Sequence, residues 1–289
     1  MLYASSQEWK NADQKRIMLF GMSGLGKSYL SNILRDSGSW FHYSVDYRIG
    51  TRYMGEHIVD NFKVEAMQNP FLEELLRSDS IYIASNITFN NLAPLASYLG
   101  KPGNKDKGGI TFEEYLRRQR LHKKAEIAAM LDTRHFIDRS KQLYGYDNFV
   151  CDTSGSIVEI VDEEDENDPV MREVTQDLLP IWLKGSEAHT EILIERFSKN
   201  PKPMYYNEAF LLEAWQNYLR EQEVSEEEVD PNHFMLWGYR KLIESRASRY
   251  EKLANRWGIT IEAEKLADIK TAAQFNDLIE QALDIKKTL

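Results

Sequence analysis

Eight residues near the start of the chain have the types and spacing to hold a row of phosphates: Gly21-Met22-Ser23-Gly24-Leu25-Gly26-Lys27-Ser28. They fit GxxxxGK[ST], the Walker A pattern, at every position. Glycines in such a loop let backbone N–H groups turn inward around phosphate oxygens. A helix starting behind the loop adds favourable partial charge at its N-terminus. Lys27 is expected to reach the β- and γ-phosphates, and Ser28 to ligate magnesium. The expected ligand is therefore ATP with Mg2+, and Tyr29 completes the nucleotide-binding stretch.

The choice of base rests on what the chain lacks. Asp152-Thr153-Ser154-Gly155 matches the DxxG of GTPases, but no guanine-reading [NT]KxD follows it. The near match Asn104-Lys105-Asp106-Lys107 ends in Lys and precedes Asp152. No run of four apolar residues ending in Asp-Glu is present either, so a motor ATPase is disfavoured.

Two aspartates are candidates for catalysis. Asp46 follows the apolar run WFHYSV and could act as the base or touch the acceptor; a turn or helix cap is the plain alternative. Asp152 follows NFVC and could hold the magnesium shell or orient the acceptor hydroxyl, or merely cap a turn. Arg48 and Arg52 could grip an anionic acceptor, or serve surface ion pairs. Arg117 to Lys124 is the most basic stretch. Glu113–Arg117 and Glu114–Arg118 have i,i+4 spacing, which leaves Arg120 and Lys124 as its candidates for an acidic substrate. A solvated helix face is the plainer reading.

These residues need a scaffold. Arg16–Phe20 reads as a buried strand before the glycine loop, and Lys27–Arg35 as a helix after it. Trp40–Val45, Asn148–Cys151, Leu179–Leu183 and Ile259–Ile261 read as further strands. Ile81–Phe89 is a possible extended segment. Residues 53–146 are otherwise mainly helical, with Thr111 and Glu114 forming a capping box. The acidic loop 162–169 reads as solvated. Asp230-Pro231 starts a long helix. Leu236, Tyr239, Ile243, Ala247, Tyr250, Ala254 and Trp257 form its buried stripe, and Gly258 ends it. The alternation predicts an α/β fold with a largely parallel central sheet, a three-layer α/β/α P-loop NTPase architecture. It is expected as one domain over 1–289. Residues 53–146 would be a helical insertion serving as acceptor-binding or lid subdomain, and 147–289 would return to the core. Ligands in such sheets bind at the carboxyl ends of the strands.

The chain resembles the small-molecule P-loop kinases, the group of shikimate kinase and gluconate kinase. Three segments carry the likeness: the Walker A loop with Asp46 after the second strand, FVCDTSGS at 149–156, and IWLKGSEAHTEILIERFSKNPKPMYYNEAFL at 181–211. The resemblance implies a substrate-contacting role for Asp46 and a small-residue substrate loop containing Ser154. It implies Arg196 against the adenine, and Lys199 or Lys202 acting from a lid. Here the lid offers lysines where those kinases usually carry a second arginine.

Composition bounds the rest. Apolar residues are 42% and charged residues 28%, the mix of a globular protein with a real core. A net charge of −10 argues against nucleic acid as the main partner. The lone Cys151 excludes an internal disulfide, and the six histidines show no zinc-ligand spacing. No apolar run reaches membrane-spanning length, and the first residues lack a signal-peptide core. A cytoplasmic phosphotransferase acting on a small anionic acceptor is the leading expectation. The rival is an ATP-binding switch or slow ATPase that works through a protein partner.

Overall fold

The computed structural model describes residues 1–288. The chain divides into two compact units. The first comprises Met1–Val45, Ile127–Asn200 and the chain from Gly238 onward; the second comprises Asp46–Glu126 and Pro201–Trp237. No helix among the described residues is long and apolar enough to cross a membrane.

The first unit is built on five strands: β1 (Arg16–Phe20), β2 (Trp40–Ser44), β3 (Asn148–Asp152), β4 (Leu179–Lys184) and β5 (Ile259–Glu262). Their spatial order is β2-β3-β1-β4-β5, and every pair is parallel. The expected α/β class with a parallel sheet is what is found. Parallel strands are covered on both faces, so they read as continuous apolar runs rather than alternating ones. Ile17, Met18, Leu19 and Phe20 of β1 are accordingly all fully buried. Helix Lys27–Asp36 follows the glycine loop and buries Leu30 and Leu34. At the β2 side, Phe41 stacks on Phe149 and Phe136, and the Tyr43 hydroxyl donates to the Ala129 carbonyl at 2.6 Å. Gly258 ends the helix Pro231–Trp257, as expected. A Cβ there would lie 2.0 Å from the Pro180 carbonyl oxygen, so β5 can approach β4 only through glycine.

Two expectations in this unit are corrected. Ala247 is exposed, and Arg246 beside it is buried. Tyr239, Ile243, Tyr250 and Ala254 of the expected stripe are buried; at 247 alone the neighbour takes the place, because Arg246 has a buried carboxylate, Glu159, to meet. The acidic loop 162–169 is not simply solvated. Arg249 Nε binds Glu163 at 2.9 Å, Lys252 pairs with Glu164, and buried Asp168 caps helix Pro169–Thr175.

The second unit is helical. Its elements include Gly55–Ala66, Pro70–Arg77, Ala93–Leu99 and Glu208–Gln222, with the start of Phe112–Leu131. Of the stretch 53–146, residues 127–146 belong to the first unit, and Pro201–Trp237 joins the second. Side chains of Phe112–Leu131 explain that recruitment. Tyr115 and Gln119 both donate to the Met204 carbonyl, Gln119 Oε1 accepts from the Tyr206 amide, and Phe112 stacks on Trp215 at 4.5 Å. Ile81–Phe89 forms no strand; an isolated bridge joins Thr88 to Asn91. Glu114 N donates to Thr111 Oγ1, but the Glu114 carboxylate turns to Arg117 and Arg118.

His122 lies inside this unit, stacked on Tyr205 at 4.6 Å, with its Nδ1 3.6 Å from Glu126 Oε2. That gap is too long for a hydrogen bond, and burial pulls the imidazole pKa down from 6.5 to about 4. The unfolded chain takes up this proton below about pH 6.5, whereas the folded chain does so only near pH 4. Stability is thus lost as pH falls through that window, by about 3 kcal/mol in all. His122→Gln should flatten the dependence of urea-unfolding free energy on pH between 6.5 and 4. An unchanged slope would place the titration elsewhere.

Candidate functional site

The parallel sheet sends the segments after β1, β3 and β4 out of the same edge. Register shows how close they start: Leu19 pairs with Asp152, and Phe20 with Trp182. The glycine loop leaves β1 at Gly21, whose φ is +137°. A Cβ at Gly21 would lie 2.7 Å from the Leu183 carbonyl oxygen, so both conformation and space require glycine. Gly26 caps helix Lys27–Asp36 with φ +99°, again in the left-handed region.

Lys27 is buried, and its ammonium donates to the carbonyls of Gly21 at 2.8 Å and Met22 at 3.1 Å. The lysine thus folds back along the loop that precedes it. Ser28 Oγ donates to Asp152 Oδ2 at 2.8 Å, joining the end of β3 to the start of the helix. Asp152 is buried, and His42 Nε2 from β2 lies 3.7 Å from the same oxygen. Cys151 beside it is fully buried, and burial pushes its thiol pKa well up. It is a packed residue, not a reactive one. Tyr29 is 44% exposed, donates to the Ile269 carbonyl, and has Lys270 over its ring.

The segment after β3 forms the wall of the loop. Thr153 Oγ1 donates to the Leu19 carbonyl at 2.9 Å. Ser154, expected to face a substrate, is buried, and its hydroxyl hydrogen-bonds that of Ser156. A Cβ on Gly155 would lie 3.0 Å from the Ser23 amide nitrogen, so this wall touches the glycine loop directly. After β4, Ser186 Oγ lies 2.9 Å from His189 Nδ1, and Glu264 Oε1 lies 3.3 Å from that same nitrogen. A hydrolytic Ser-His-Glu relay needs the two partners on opposite ring nitrogens. This cluster instead caps helix Glu187–Lys199. The Ser186 hydroxyl holds the Glu264 carboxyl below the usual carboxylate range, with help from a backbone amide and His189.

The other candidates are divided between the two units. Arg196 is exposed on helix Glu187–Lys199, and Lys199 pairs with Glu195 at 2.7 Å. Lys202 belongs to the second unit, as do Asp46, Arg48, Arg52, Arg120 and Lys124. Asp46 lies in the short helix Val45–Arg48 that starts directly after β2. The Arg48 guanidinium sits over the Tyr53 ring at 5.5 Å. Arg52 lines an open cavity of 780 Å³ with Thr51, Glu56, Asp60, Lys63 and Ser85. Its wall includes a π-helical turn, Ile49–Tyr53. Arg120, expected to lack a partner, binds Glu208 through two nitrogens at 2.6 and 2.9 Å. That partner is 88 residues away in sequence, out of reach of an i,i+4 argument. Lys124 is exposed. Sequence reasoning missed His42, Arg246 and Glu159. A charged or imidazole side chain inside an apolar stripe was the signal that could have flagged them.

Gly21→Ala should lower the unfolding free energy by about 1–3 kcal/mol, through left-handed strain and the clash with Leu183. Denaturant melts of the two proteins measure it. Equal stability would mean that the start of the loop can shift away from β4.

No protein-family model matches the chain, and no curated protein matches it.

Proposed function

We propose that the chain is a P-loop NTPase acting as an ATP-dependent phosphotransferase, which moves the γ-phosphoryl of ATP to a small anionic acceptor. One observation carries the reading. A glycine loop leaves the central strand, covers a buried Lys27, and ends at a Ser28 hydroxyl bonded to the Asp152 carboxylate of the neighbouring strand. Backbone N–H groups, an ammonium and a hydroxyl–carboxylate pair are the donor set that a magnesium–triphosphate needs.

Among the described residues no three His, Cys, Asp or Glu side chains gather to hold a metal. Ser28 and Asp152 fit a magnesium ion that arrives with its nucleotide, because Mg2+ prefers one or two protein oxygens completed by phosphate and water. Bound there, it would neutralise charge on the phosphate oxygens. The chain's own groups do the rest. Loop amides hold the phosphates in line, and the Lys27 ammonium exchanges its two carbonyl contacts for phosphate oxygens. A carboxylate takes the proton of the acceptor hydroxyl. The reading gives that task to Asp46, with Arg48 and Arg52 as grips for an anionic acceptor. Arg196 is assigned to the adenine, and Lys199 and Lys202 to a lid. Arg120 leaves the acceptor set, since Glu208 already neutralises it. A cytoplasmic location belongs to the same reading.

Lys27→Ala should abolish turnover and weaken ATP binding while the fold is kept. In the wild type, ATP–Mg2+ should raise the melting temperature more than GTP–Mg2+ does. A variant with unchanged affinity and activity would remove the phosphate-loop assignment, and a larger GTP shift would revive a GTPase.

The aspartates separate by their binding behaviour. Asp152→Asn should weaken the magnesium dependence of ATP binding, because Asn keeps the Ser28 contact but loses the charge. Asp46→Asn should slow acceptor-dependent ADP release and leave ATP–Mg2+ affinity nearly unchanged. ATP titrations with and without magnesium test both. The reverse pattern would exchange their roles, and ADP release that needs no acceptor would favour a slow ATPase.

A further inference from the structure

Two side chains from one helix converge on a single carbonyl beneath the glycine loop. Arg246 Nη1 donates to the Gly155 carbonyl oxygen at 2.8 Å, and the Tyr250 hydroxyl donates to the same atom. Both residues are 1% exposed. The Tyr250 hydroxyl also lies 3.7 Å from Met22 Sδ, inside the Walker A loop. Gly155 itself packs close to that loop, since a Cβ on it would lie 3.0 Å from the Ser23 amide nitrogen. The guanidinium is itself fixed. Arg246 Nε binds Glu159 Oε1 at 2.7 Å, and Glu159 Oε2 accepts from Arg249 Nη1 at 3.1 Å. Glu159 is 1% exposed, so this carboxylate and Arg246 are both taken out of water.

A buried ion pair is a poor source of net stability, because desolvation cancels most of the attraction. Well-packed apolar side chains would fill the same space at equal or lower cost. What the pair supplies is direction: a planar guanidinium held on one side by a carboxylate can aim its other edge at one acceptor. The acceptor is the carbonyl of the residue against which Ser23 rests. The backbone amides of a glycine-rich loop have many accessible arrangements, and phosphate binding needs one of them.

We propose that Arg246 and Tyr250 are positioning residues for the phosphate loop. They clamp the Gly155 carbonyl, which fixes the 153–156 segment and seats Ser23, so that the loop amides are held in register for a phosphate chain. The proposal rests on the nucleotide-binding reading above for its ligand, but the clamp itself exists without one.

The test uses three full-length variants. Tyr250→Phe removes one hydroxyl and keeps the ring against Phe20 and Trp182. Arg246→Lys keeps the charge and loses the fork. Lys252→Ala, on the exposed side of the same helix, is the control. Amide hydrogen exchange is read in the nucleotide-free proteins over 21–28 and 150–157, and ATP–Mg2+ affinity by titration. Tyr250→Phe and Arg246→Lys should exchange faster in both segments and bind ATP–Mg2+ roughly tenfold more weakly; Lys252→Ala should match the wild type. A purely structural role would lower the melting temperature without a selective rise at 21–28, and that result overturns the proposal. If Arg246→Lys does not fold, Tyr250→Phe decides alone. A wild type that binds no ATP, with loop exchange still raised in the variants, would remove the nucleotide reading and leave the clamp standing. Unchanged exchange at 21–28 in both variants removes the clamp whether or not ATP binds.

Discussion

The pairing of β1 between β3 and β4 is the constraint on which the candidate site depends. Because all three strands run parallel, whatever follows each of them leaves from one edge. Glycine at 21, the carboxylate at 152 and the segment at 184–186 come together for that reason, although up to 165 residues separate them in sequence. The close approach is tight enough to dictate residue type. Leu183 allows no Cβ at Gly21, and Pro180 allows none at Gly258. Strand pairing and loop chemistry are therefore one problem here. A shift of β4 along β1 would carry the Leu183 carbonyl away from Gly21 and change the turn there.

Charges inside the first unit follow the same geometry. Asp152 stays buried because Ser28 donates to it and His42 lies near. Glu159 stays buried because two arginines from one helix face it. Each arrangement needs a partner from a distant part of the chain. In the second unit, burial without a full partner has the opposite effect at His122, whose ring is kept neutral. The comparison separates two uses of an interior polar group. The buried pairs orient their neighbours, whereas the buried imidazole of His122 makes stability fall as the pH drops.

Much of the first unit was readable from sequence because its signals are local. A continuous apolar run means a doubly covered strand, and the β1, β3, β4 and β5 runs were each placed to within a residue or two. The glycine loop carries its geometry in its own composition. Asp230-Pro231 marks the start of a helix by capping chemistry that needs no tertiary partner, and Gly258 directly follows its last residue. The rest was not readable because it is non-local. Arg120 looked unpaired within its helix, but Glu208 binds it from another. The acidic run at 162–169 looked solvated because Arg249 and Lys252 are more than 80 residues further on. The joining of Pro201–Trp237 to the second unit depends on hydrogen bonds from Tyr115 and Gln119 to a backbone that has no sequence signature.

The one-residue difference between Ala247 and Arg246 shows where periodicity stops being informative. Successive helical residues are about 100° apart, so a stripe of threes and fours can include either. Hydropathy favours alanine, since an arginine in the interior must be desolvated. Only a buried acceptor set can reverse that preference, and here it is Glu159 together with the Gly155 carbonyl. Those two groups lie on the segment after β3, whose position is set by the pairing of β3 with β1. At this one position the buried residue is chosen by the segment after β3 rather than by the helix's own hydropathy. A glycine-rich loop cannot hold its own shape, because the freedom that lets it turn also lets it wander. Its order must come from outside, and the residues that supply it are legible only once the sheet is in place.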